Sequence, residues 1–227
     1  MKDAREDILG LMPHEIVKRL QEMGEQAFRG KQVINWLYKG VISFEDMTNL
    51  PKATRKKLED KYIIGSVKLL EKRISKNGDT IKYLCLLADH NIIECVVMKY
   101  NYGNTLCLST QVGCRMGCSF CASTKQGLVR DLEVGEMMAQ VFMANTHIKQ
   151  TDERGIRNIV LMGSGEPLDN YSNVIKFLRL VNHPEGLNIS YRNITLSTCG
   201  LVPKMKKLAQ ENIPITLSIS LHAPHDE

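Results

Sequence analysis

Three cysteines stand close together in the middle of the sequence, in the segment Cys114-Arg-Met-Gly-Cys118-Ser-Phe-Cys121. Iron–sulfur clusters are held by cysteine thiolates, normally four of them. Three thiolates leave one iron without a protein ligand, and a metal with an open position can carry out chemistry. Gly113 and Gly117 give the segment the backbone freedom that a tight loop needs. The sequence therefore predicts an iron–sulfur cluster held by Cys114, Cys118 and Cys121.

A zinc site or three unliganded thiols are the alternatives. Structural zinc sites usually combine a CxxC pair with a second pair or with histidines, and no second pair is present here. The remaining cysteines include Cys85 and Cys95, which lie in the apolar runs YLCLL and IIECVV and are predicted to be small buried hydrophobic residues. The total of seven is odd, which argues against a complete disulfide framework.

A second motif, Gly163-Ser-Gly165-Glu166-Pro167, follows an apolar run that is typical of a strand. A carboxylate at Glu166 could form a charge-assisted hydrogen bond with an ammonium group. Taken alone, the segment could equally be an ordinary turn between a strand and a helix. Four further polar or exposed candidates stand at the ends of two later predicted strands: Ser197, Ser220, Leu221 and His222.

The elements that must position these residues alternate regularly. Strands are predicted at 105–110, 157–163, 193–198 and 214–222, with helices near 133–148, 171–183 and 203–211. Such alternation predicts parallel strands joined by crossover helices. The cysteine loop, the glycine motif and the strand-end residues would then share the carboxyl-terminal edge of the sheet, where β/α barrels carry their active sites.

The fold class predicted is α/β, with a partial (β/α) barrel preceded by a small helical domain and a β-hairpin. We predict a helical accessory domain over 1–65, a hairpin region over 66–103 and the first four β/α units over 104–227. A closed barrel needs more strands, and a bare edge strand is usually avoided. The natural protein is therefore expected to continue beyond residue 227.

Composition narrows the class of protein. The chain has 227 residues, 43% of them hydrophobic, and no apolar run near the roughly 18 residues of a membrane span. The first ten residues lack the apolar stretch of a signal peptide, so we expect a cytosolic protein without a membrane partner. A net charge of +5 is compatible with an RNA partner. The cations Arg55, Lys56, Lys57 and Lys61 form either a solvated helix face or an RNA-contacting one.

The CxxxCxxC spacing resembles the motif of the radical S-adenosylmethionine superfamily, which implies a partial barrel of the radical-SAM type. The resemblance also implies that the open iron of a 4Fe–4S cluster binds S-adenosylmethionine, which one electron cleaves to a 5′-deoxyadenosyl radical. The segments TLCLSTQVGCRMGCSFCAST, GSGEPLDN, ITLSTCG and ISLHAP are together similar to the dual-specificity RNA adenine-C2 methyltransferase family. RGKQVINWLYKG and SFEDMTNLPKATRKKL resemble that family's N-terminal accessory domain. The family methylates C2 of adenosine 2503 in 23S ribosomal RNA and of adenosine 37 in certain tRNAs.

The resemblance also implies residue roles. It assigns Cys114, Cys118 and Cys121 as cluster ligands, Glu94 as the proton acceptor and Cys107 as the cysteine that resolves the covalent RNA intermediate. It assigns S-adenosylmethionine contacts to Gly165, Glu166, Ser197, Ser220, Leu221 and His222. It further implies an external electron donor such as flavodoxin and a disulfide bond. The usual loop reads GMGEP, and Ser164 replaces its methionine. From the residues alone, Glu94 could be an exposed strand carboxylate and Cys107 a core strand residue.

One departure from the family concerns the methyl carrier. The family first methylates a cysteine near its C-terminus, whereas no cysteine follows Cys199 here, and an asparagine expected to bind the cofactor downstream is also missing. We therefore expect this chain to hold a cluster without completing methylation. Two alternatives are a C8-methylating resistance enzyme, which Pro167 disfavours, and a non-catalytic RNA-binding protein with a structural metal.

Overall fold

A computed structural model of the chain describes residues 5–221. Its helices are α1 (Pro13–Glu22), α2 (Ala27–Tyr38), α3 (Lys52–Lys61), α4 (Val134–Lys149), α5 (Tyr171–Asn182) and α6 (Val202–Gln210). Its strands are β1 (Glu6–Asp7), β2 (Tyr62–Ile63), β3 (Lys68–Ile74), β4 (Thr80–Leu86), β5 (Ile92–Tyr100), β6 (Gly103–Cys107), β7 (Gln111–Gly113), β8 (Leu128–Asp131), β9 (Ile156–Leu161), β10 (Ile194–Thr198) and β11 (Thr216–Ile219). Across the part of the chain that the structure describes, no helix is both long enough and apolar enough to cross a bilayer.

The N-terminal segment forms helices α1 to α3, as its apolar spacing predicts. Helix α1 begins at Pro13, where a missing N–H costs nothing, and the Glu15 carboxylate accepts a hydrogen bond from the Met12 N–H at 2.6 Å. Its buried face, which includes Ile16 and Leu20, joins the hydrophobic core. The short strands β1 and β2 pair in parallel and connect the start of the segment to its end.

Two of the four clustered cations on α3 are engaged within this N-terminal segment. Arg55 is buried and donates to the carbonyl and carboxylate of Glu45 at 2.6 and 2.9 Å. Lys57 donates to the Glu25 carboxylate at 3.0 Å. These two side chains stabilise the packing of α3, and the other two members of the cluster, Lys56 and Lys61, are exposed.

A seven-stranded sheet in the order β11-β10-β9-β6-β5-β4-β3 forms the body of the fold. Strands β6, β9, β10 and β11 are parallel, and helices α4, α5 and α6 connect them in the predicted alternation. Leu106, Ile159 and Leu196 are fully buried in the core. The α/β fold class is confirmed, and within the described residues the seven-stranded sheet is open, with β11 and β3 at its edges.

The segment predicted as a hairpin is part of this sheet. Strands β4 and β5 form the predicted hairpin around Asp89 and His90, and β3 adds a third antiparallel strand. Strand β5 pairs with β6, so that Val96 lies opposite Cys107. Cys85 and Cys95 are fully buried, as expected for small hydrophobic residues. The hairpin therefore extends the barrel sheet. The three-part domain division itself stays a prediction.

Arg130 connects this hairpin to helix α4, and we expect its replacement to destabilise the protein. Its guanidinium contacts Asp89 at 2.6 Å and both Glu136 carboxylate oxygens at 2.7 and 2.8 Å. Arg130→Met would leave two largely buried carboxylates without their cation, at a cost of about 2 kcal/mol in the free energy of unfolding. Urea denaturation measures this loss.

The same pair predicts a pH dependence. Arg130 holds the pKa of Asp89 well below its usual range, so the pair stabilises the fold above the unfolded-state pKa of about 3.9. This contribution is lost as the pH falls through the lower, folded-state pKa. The difference between wild type and Arg130→Met should therefore shrink in acid. Arg73→Met, which breaks an exposed pair with Glu71, is the control and should change little. An equal loss in both variants would contradict the prediction.

Candidate active site

The three cysteines of the CxxxCxxC motif line one cavity of about 340 Å³. The cavity lies at the carboxyl-terminal ends of β9 and β10, the edge of the sheet predicted from the strand alternation. Four of the predicted S-adenosylmethionine contacts line it as well: Gly165, Glu166, Ser197 and Ser220. Residues that are far apart in sequence are thus brought together as the sequence analysis expects.

The cysteine loop is closed at its base by the two-stranded ribbon of β7 and β8. Gly113 has a φ of +75°, and a methyl group there would collide with the carbonyl oxygen of Gly127. That carbonyl instead accepts a hydrogen bond from the Cys114 N–H at 3.1 Å. Within the loop, the Thr124 hydroxyl donates to the carbonyls of Cys118 and Cys121 at 3.1 and 2.9 Å. The loop has its own hydrogen bonds, which fix where the thiols stand.

The donor chemistry of this loop fits an iron–sulfur cluster. Cys114 is buried, and Cys118 and Cys121 are half-buried. Burial raises the pKa of the Cys114 thiol, and the nearby Glu166, Cys118 and Cys121 raise it further. Within residues 5–221, no three His, Cys, Asp or Glu side chains converge tightly enough to hold a single metal ion. Three thiols around a shared space are the ligand type that a multi-iron cluster uses.

The glycine motif is anchored to the strand beside it by its backbone. The Ser164 carbonyl accepts hydrogen bonds from the N–H groups of Thr110 and Gln111 at 2.9 and 3.1 Å, and its own N–H donates to the Ser109 hydroxyl at 3.0 Å. Gly165 has a φ of +105°, and a methyl group there would lie 2.6 Å from Cβ of Gln111. Only glycine allows this approach, which places Glu166 in the cavity wall.

Glu166 is 4% exposed, and its two carboxylate oxygens have separate backbone donors. One oxygen accepts from the Leu168 N–H at 3.0 Å, and the other accepts from the Cys199 N–H at 2.9 Å. Partial burial raises the pKa of the Cys199 thiol to about 12, and Glu166 contributes to that shift. The carboxylate therefore has a fixed orientation at the cavity, which suits the recognition of a cationic group.

Ser197 and Ser220 stand at the ends of neighbouring parallel strands, with their hydroxyl oxygens 3.3 Å apart. Leu221 is 76% exposed and does not line the cavity. His222 lies outside the described residues. The structure thus brings four of the six predicted cofactor contacts into one wall.

Glu94 and Cys107 do not line this cavity. Glu94 is about half exposed and pairs with Lys82 at 2.7 Å, while Cys107 is partly buried, which raises the pKa of its thiol. The strand register places Cys107 opposite Val96, two residues from Glu94, so the two side chains share one face of the sheet. Their assigned roles stay predictions.

Gln111 and Cys199 are two site residues to which the sequence analysis gave no role. The buried Gln111 accepts a hydrogen bond from the Glu166 N–H at 2.8 Å and donates to Asp131 and Asp169 at 2.7 and 3.0 Å. Cys199 lines the cavity directly after β10. Gln111 lies three residues before Cys114, so the sequence indicates that it is near the cysteine loop. It belongs to no recognisable motif.

Ser164, which replaces the methionine usual in this loop, has one side-chain hydrogen bond. Its hydroxyl lies 3.1 Å from that of Ser123 in the cysteine loop. Because the backbone bonds hold the loop, Ser164→Met is expected to lower the free energy of unfolding by only about 1 kcal/mol and to leave iron content unchanged. Urea denaturation and iron analysis check this. Ser123→Ala breaks the same hydrogen bond and should cause the same small loss of stability as Ser164→Met. Loss of iron in either variant would contradict the prediction.

Two models of known protein families match this chain. The family model described as the Radical SAM superfamily matches residues 108–227, more than half of the sequence. The chain belongs to the radical SAM superfamily. The model described as "Ribosomal RNA large subunit methyltransferase N-terminal domain" matches residues 6–64. The expected 4Fe–4S cluster and S-adenosylmethionine are the cofactors that membership of the radical SAM superfamily implies.

Proteins that are similar to this chain over nearly its whole length are described as RNA methyltransferases. Proteins named "Probable dual-specificity RNA methyltransferase RlmN" from Clostridium acetobutylicum and Alkaliphilus oremlandii are each 57% identical, over 98% and 97% of this chain. The chain spans about 63% of the length of both relatives. The crystal structure of a radical SAM methyltransferase from Sphaerobacter thermophilus is 38% identical with a TM-score of 0.92, over 97% of this chain and 65% of that one. The family resemblance is confirmed.

The disulfide bond implied by the resemblance is not supported. All seven cysteines fall within the described residues, and each of them is free. Cys85 and Cys95, on adjacent strands, are not directly opposed, because Cys85 lies opposite Ile93 and Cys95 lies opposite Tyr83. The three cluster cysteines share a cavity as separate thiols.

Proposed function

We propose that this chain is the cluster-binding and S-adenosylmethionine-binding part of an RNA adenine-C2 methyltransferase. The observation that carries the proposal is the convergence of the three CxxxCxxC thiols and the Glu166 carboxylate on one cavity. The names and identities of the relatives point to RNA as the substrate class.

In this proposal, Cys114, Cys118 and Cys121 hold the 4Fe–4S cluster. When bound, the cluster and S-adenosylmethionine supply radical chemistry, which is needed because adenine C2 is not nucleophilic. Glu166, oriented by two backbone N–H groups, receives the amino group of S-adenosylmethionine. Gly165 lets the loop approach Gln111 closely because it has no side chain, and we assign it a cofactor contact by its family position.

The ends of β10 and β11 supply hydroxyl groups to the cavity. Ser197 and Ser220 would hydrogen-bond the polar edges of S-adenosylmethionine, and we assign further contacts to Leu221 and His222 by their family positions. Cys114 is 6% exposed, so at least this side of the site excludes water. Positioning of the bound groups by fixed donors and acceptors is the protein's main contribution to such chemistry.

We assign proton abstraction from C2 to Glu94 and release of the covalent RNA intermediate to Cys107. The Glu94 carboxylate is exposed to an approaching RNA base, with Lys82 2.7 Å away. The raised pKa of Cys107 keeps its thiol protonated near neutral pH, so it requires a base to become a nucleophile. Both side chains project from the sheet face that also bears Ser197.

The proposed substrates are adenosine 2503 of 23S ribosomal RNA and adenosine 37 of tRNAs, in the cytosol. A flipped-out adenine is required, since C2 is inaccessible within a stacked helix. An external protein such as flavodoxin would supply the electron. We assign no methyl-carrier cysteine among the residues of this chain.

Anaerobic reconstitution tests the proposal. The 227-residue chain, supplied with iron and sulfide, reduced with dithionite and mixed with S-adenosylmethionine, should turn brown and release 5′-deoxyadenosine. A variant with Cys114, Cys118 and Cys121 all changed to alanine is the control and should do neither. Binding of zinc without any iron-dependent cleavage would instead support a structural metal site. For a longer protein that contains this chain, mass spectrometry of the RNA product would distinguish C2 from C8 methylation.

A further inference from the structure

A second cavity, of about 350 Å³, lies at the opposite edge of the sheet from the cysteine cavity. It opens at the amino-terminal ends of β9 and β10, next to Ile156 and Asn193. Strand β9 has six residues, so roughly 20 Å of sheet separates the two cavities. A ligand in this second cavity therefore makes no contact with the cluster loop.

The side chains that line the second cavity are cationic and amide-bearing. The cations are Lys149, Arg154 and Arg157, and no Asp or Glu lines the cavity. Arg154 is neutralised by Asp152 at 2.8 Å. Within residues 5–221, Lys149 and Arg157 have no such ion pair, so two positive charges are available to an anion.

Three asparagines add hydrogen-bond donors to these charges. Asn145 accepts from the Ile156 N–H at 2.9 Å through its carbonyl oxygen, so its amide NH2 group remains a donor. Asn188 and Asn193 also line the cavity. Cations combined with amide donors, and without carboxylates, suit a phosphate group, whose oxygens only accept hydrogen bonds.

An exposed aromatic pair lies at the same end of the sheet as the second cavity, because the start of β6 pairs with the start of β9. The rings of Tyr100 and Tyr102 stack at 4.9 Å with an interplanar angle of 11°, on the turn between β5 and β6. They are 42% and 71% exposed. Gly103, paired with Tyr100, packs against Arg157: a methyl group on Gly103 would lie 3.0 Å from Cβ of Arg157. The backbone next to Tyr102 therefore lies against Arg157, a residue that lines the cationic cavity.

We propose that Tyr100, Tyr102, Lys149 and Arg157 form a second RNA-binding surface, here called the basal surface, which binds a single-stranded segment. A backbone phosphate enters the cavity between Lys149 and Arg157, and a neighbouring base stacks on Tyr102. Aromatic stacking combined with a basic groove is how proteins bind single-stranded nucleic acid without sequence preference. The inference rests on RNA being the substrate class of the proposed function and adds a contact remote from the reacting base.

Fluorescence anisotropy of a short, labelled, single-stranded RNA bound to the 227-residue chain tests the basal surface. Tyr102→Ala should weaken binding roughly ten-fold, about 1.4 kcal/mol, because the base loses its stacking partner. Tyr102→Phe keeps the ring and should bind like the wild type. Lys149→Gln with Arg157→Gln should weaken binding and reduce the salt dependence by about two counterions.

The matched charge control is Lys18→Gln with Lys206→Gln, which removes two exposed cations elsewhere on the surface. If the control loses as much affinity as the Lys149 and Arg157 variant, or if Tyr102→Ala binds normally, the proposal is wrong. Pyrophosphate tests a free anion as the ligand instead. Pyrophosphate binding that needs Lys149 and Arg157, with RNA binding independent of them, would overturn the proposal.

Cleavage of S-adenosylmethionine separates this inference from the proposed function. Every basal-surface variant should cleave S-adenosylmethionine at the wild-type rate, because none of these residues lines the cysteine cavity. A wild-type chain without cleavage would contradict the proposed function but leave the RNA-binding result interpretable. Normal cleavage with unaltered RNA binding in all variants would refute the basal surface alone.

Discussion

Cys118→Ala is expected to abolish cluster assembly while leaving the fold intact. The side chain is half-buried on the cavity wall, in a loop whose hydrogen bonds come from the backbone and from Thr124. Its loss should change the free energy of unfolding by no more than about 0.5 kcal/mol, as for surface substitutions. With two thiolates left, the cluster loses one of three protein ligands, so iron and sulfide content and brown absorbance should fall to background.

Cys199→Ala is the matched control for this prediction. Cys199 lines the same cavity but is outside the CxxxCxxC motif, so its loss should preserve the iron content. The measurements are iron and sulfide analysis after anaerobic reconstitution, with circular dichroism as a check on folding. A full cluster in Cys118→Ala, or an empty Cys199→Ala, would contradict the assignment of the three ligands.

Gly165→Ala is expected to lower the free energy of unfolding by about 2–5 kcal/mol, through backbone strain and crowding together. The residue has a φ of +105°, which costs a non-glycine residue about 1–2 kcal/mol. The added methyl group would also lie 2.6 Å from Cβ and 2.8 Å from the backbone nitrogen of Gln111, where overpacking costs about 1–3 kcal/mol more. Since Gln111 also accepts the Glu166 N–H, the shift should misplace Glu166 and weaken S-adenosylmethionine binding.

Gly24→Ala separates backbone strain from crowding. Gly24 has a φ of +80°, and no atom lies within 4 Å of an added methyl group, so only the strain remains. Urea denaturation should show the larger loss for Gly165→Ala, and equilibrium dialysis with S-adenosylmethionine should show weakened binding for that variant alone. Equal effects in the two variants would mean that contact with Gln111 is unimportant.

The parallel part of the fold could be predicted because its signals are local. Strands β6, β9 and β10 are short, largely buried runs separated by helices of ordinary length, and this alternation predicts parallel strands joined by crossover helices. The pairing of β5 with β6 could not be predicted, because register depends on contacts between segments and not on either sequence alone. For that reason, the sequence predicted only a hairpin region between the helical domain and the β/α units.

Contacts between distant segments also limited what the sequence could predict about the candidate site. Spacing alone indicated Cys114, Cys118 and Cys121, since they belong to one loop. Glu94 is an exposed strand carboxylate by sequence, and only the pairing of Val96 with Cys107 places it on the same face as Cys107. Gln111, whose amide contacts the end of β8 and the loop that bears Glu166, has no motif, because its role arises from packing.

The two backbone donors of Glu166 have a consequence for local opening. The carboxylate bonds one N–H in its own loop, at Leu168, and one in the loop after β10, at Cys199. Neither loop can detach without leaving a buried carboxylate under-bonded, so the two should open as one cooperative unit. In hydrogen exchange, the amides of Leu168 and Cys199 should share one protection factor, and S-adenosylmethionine should raise both together.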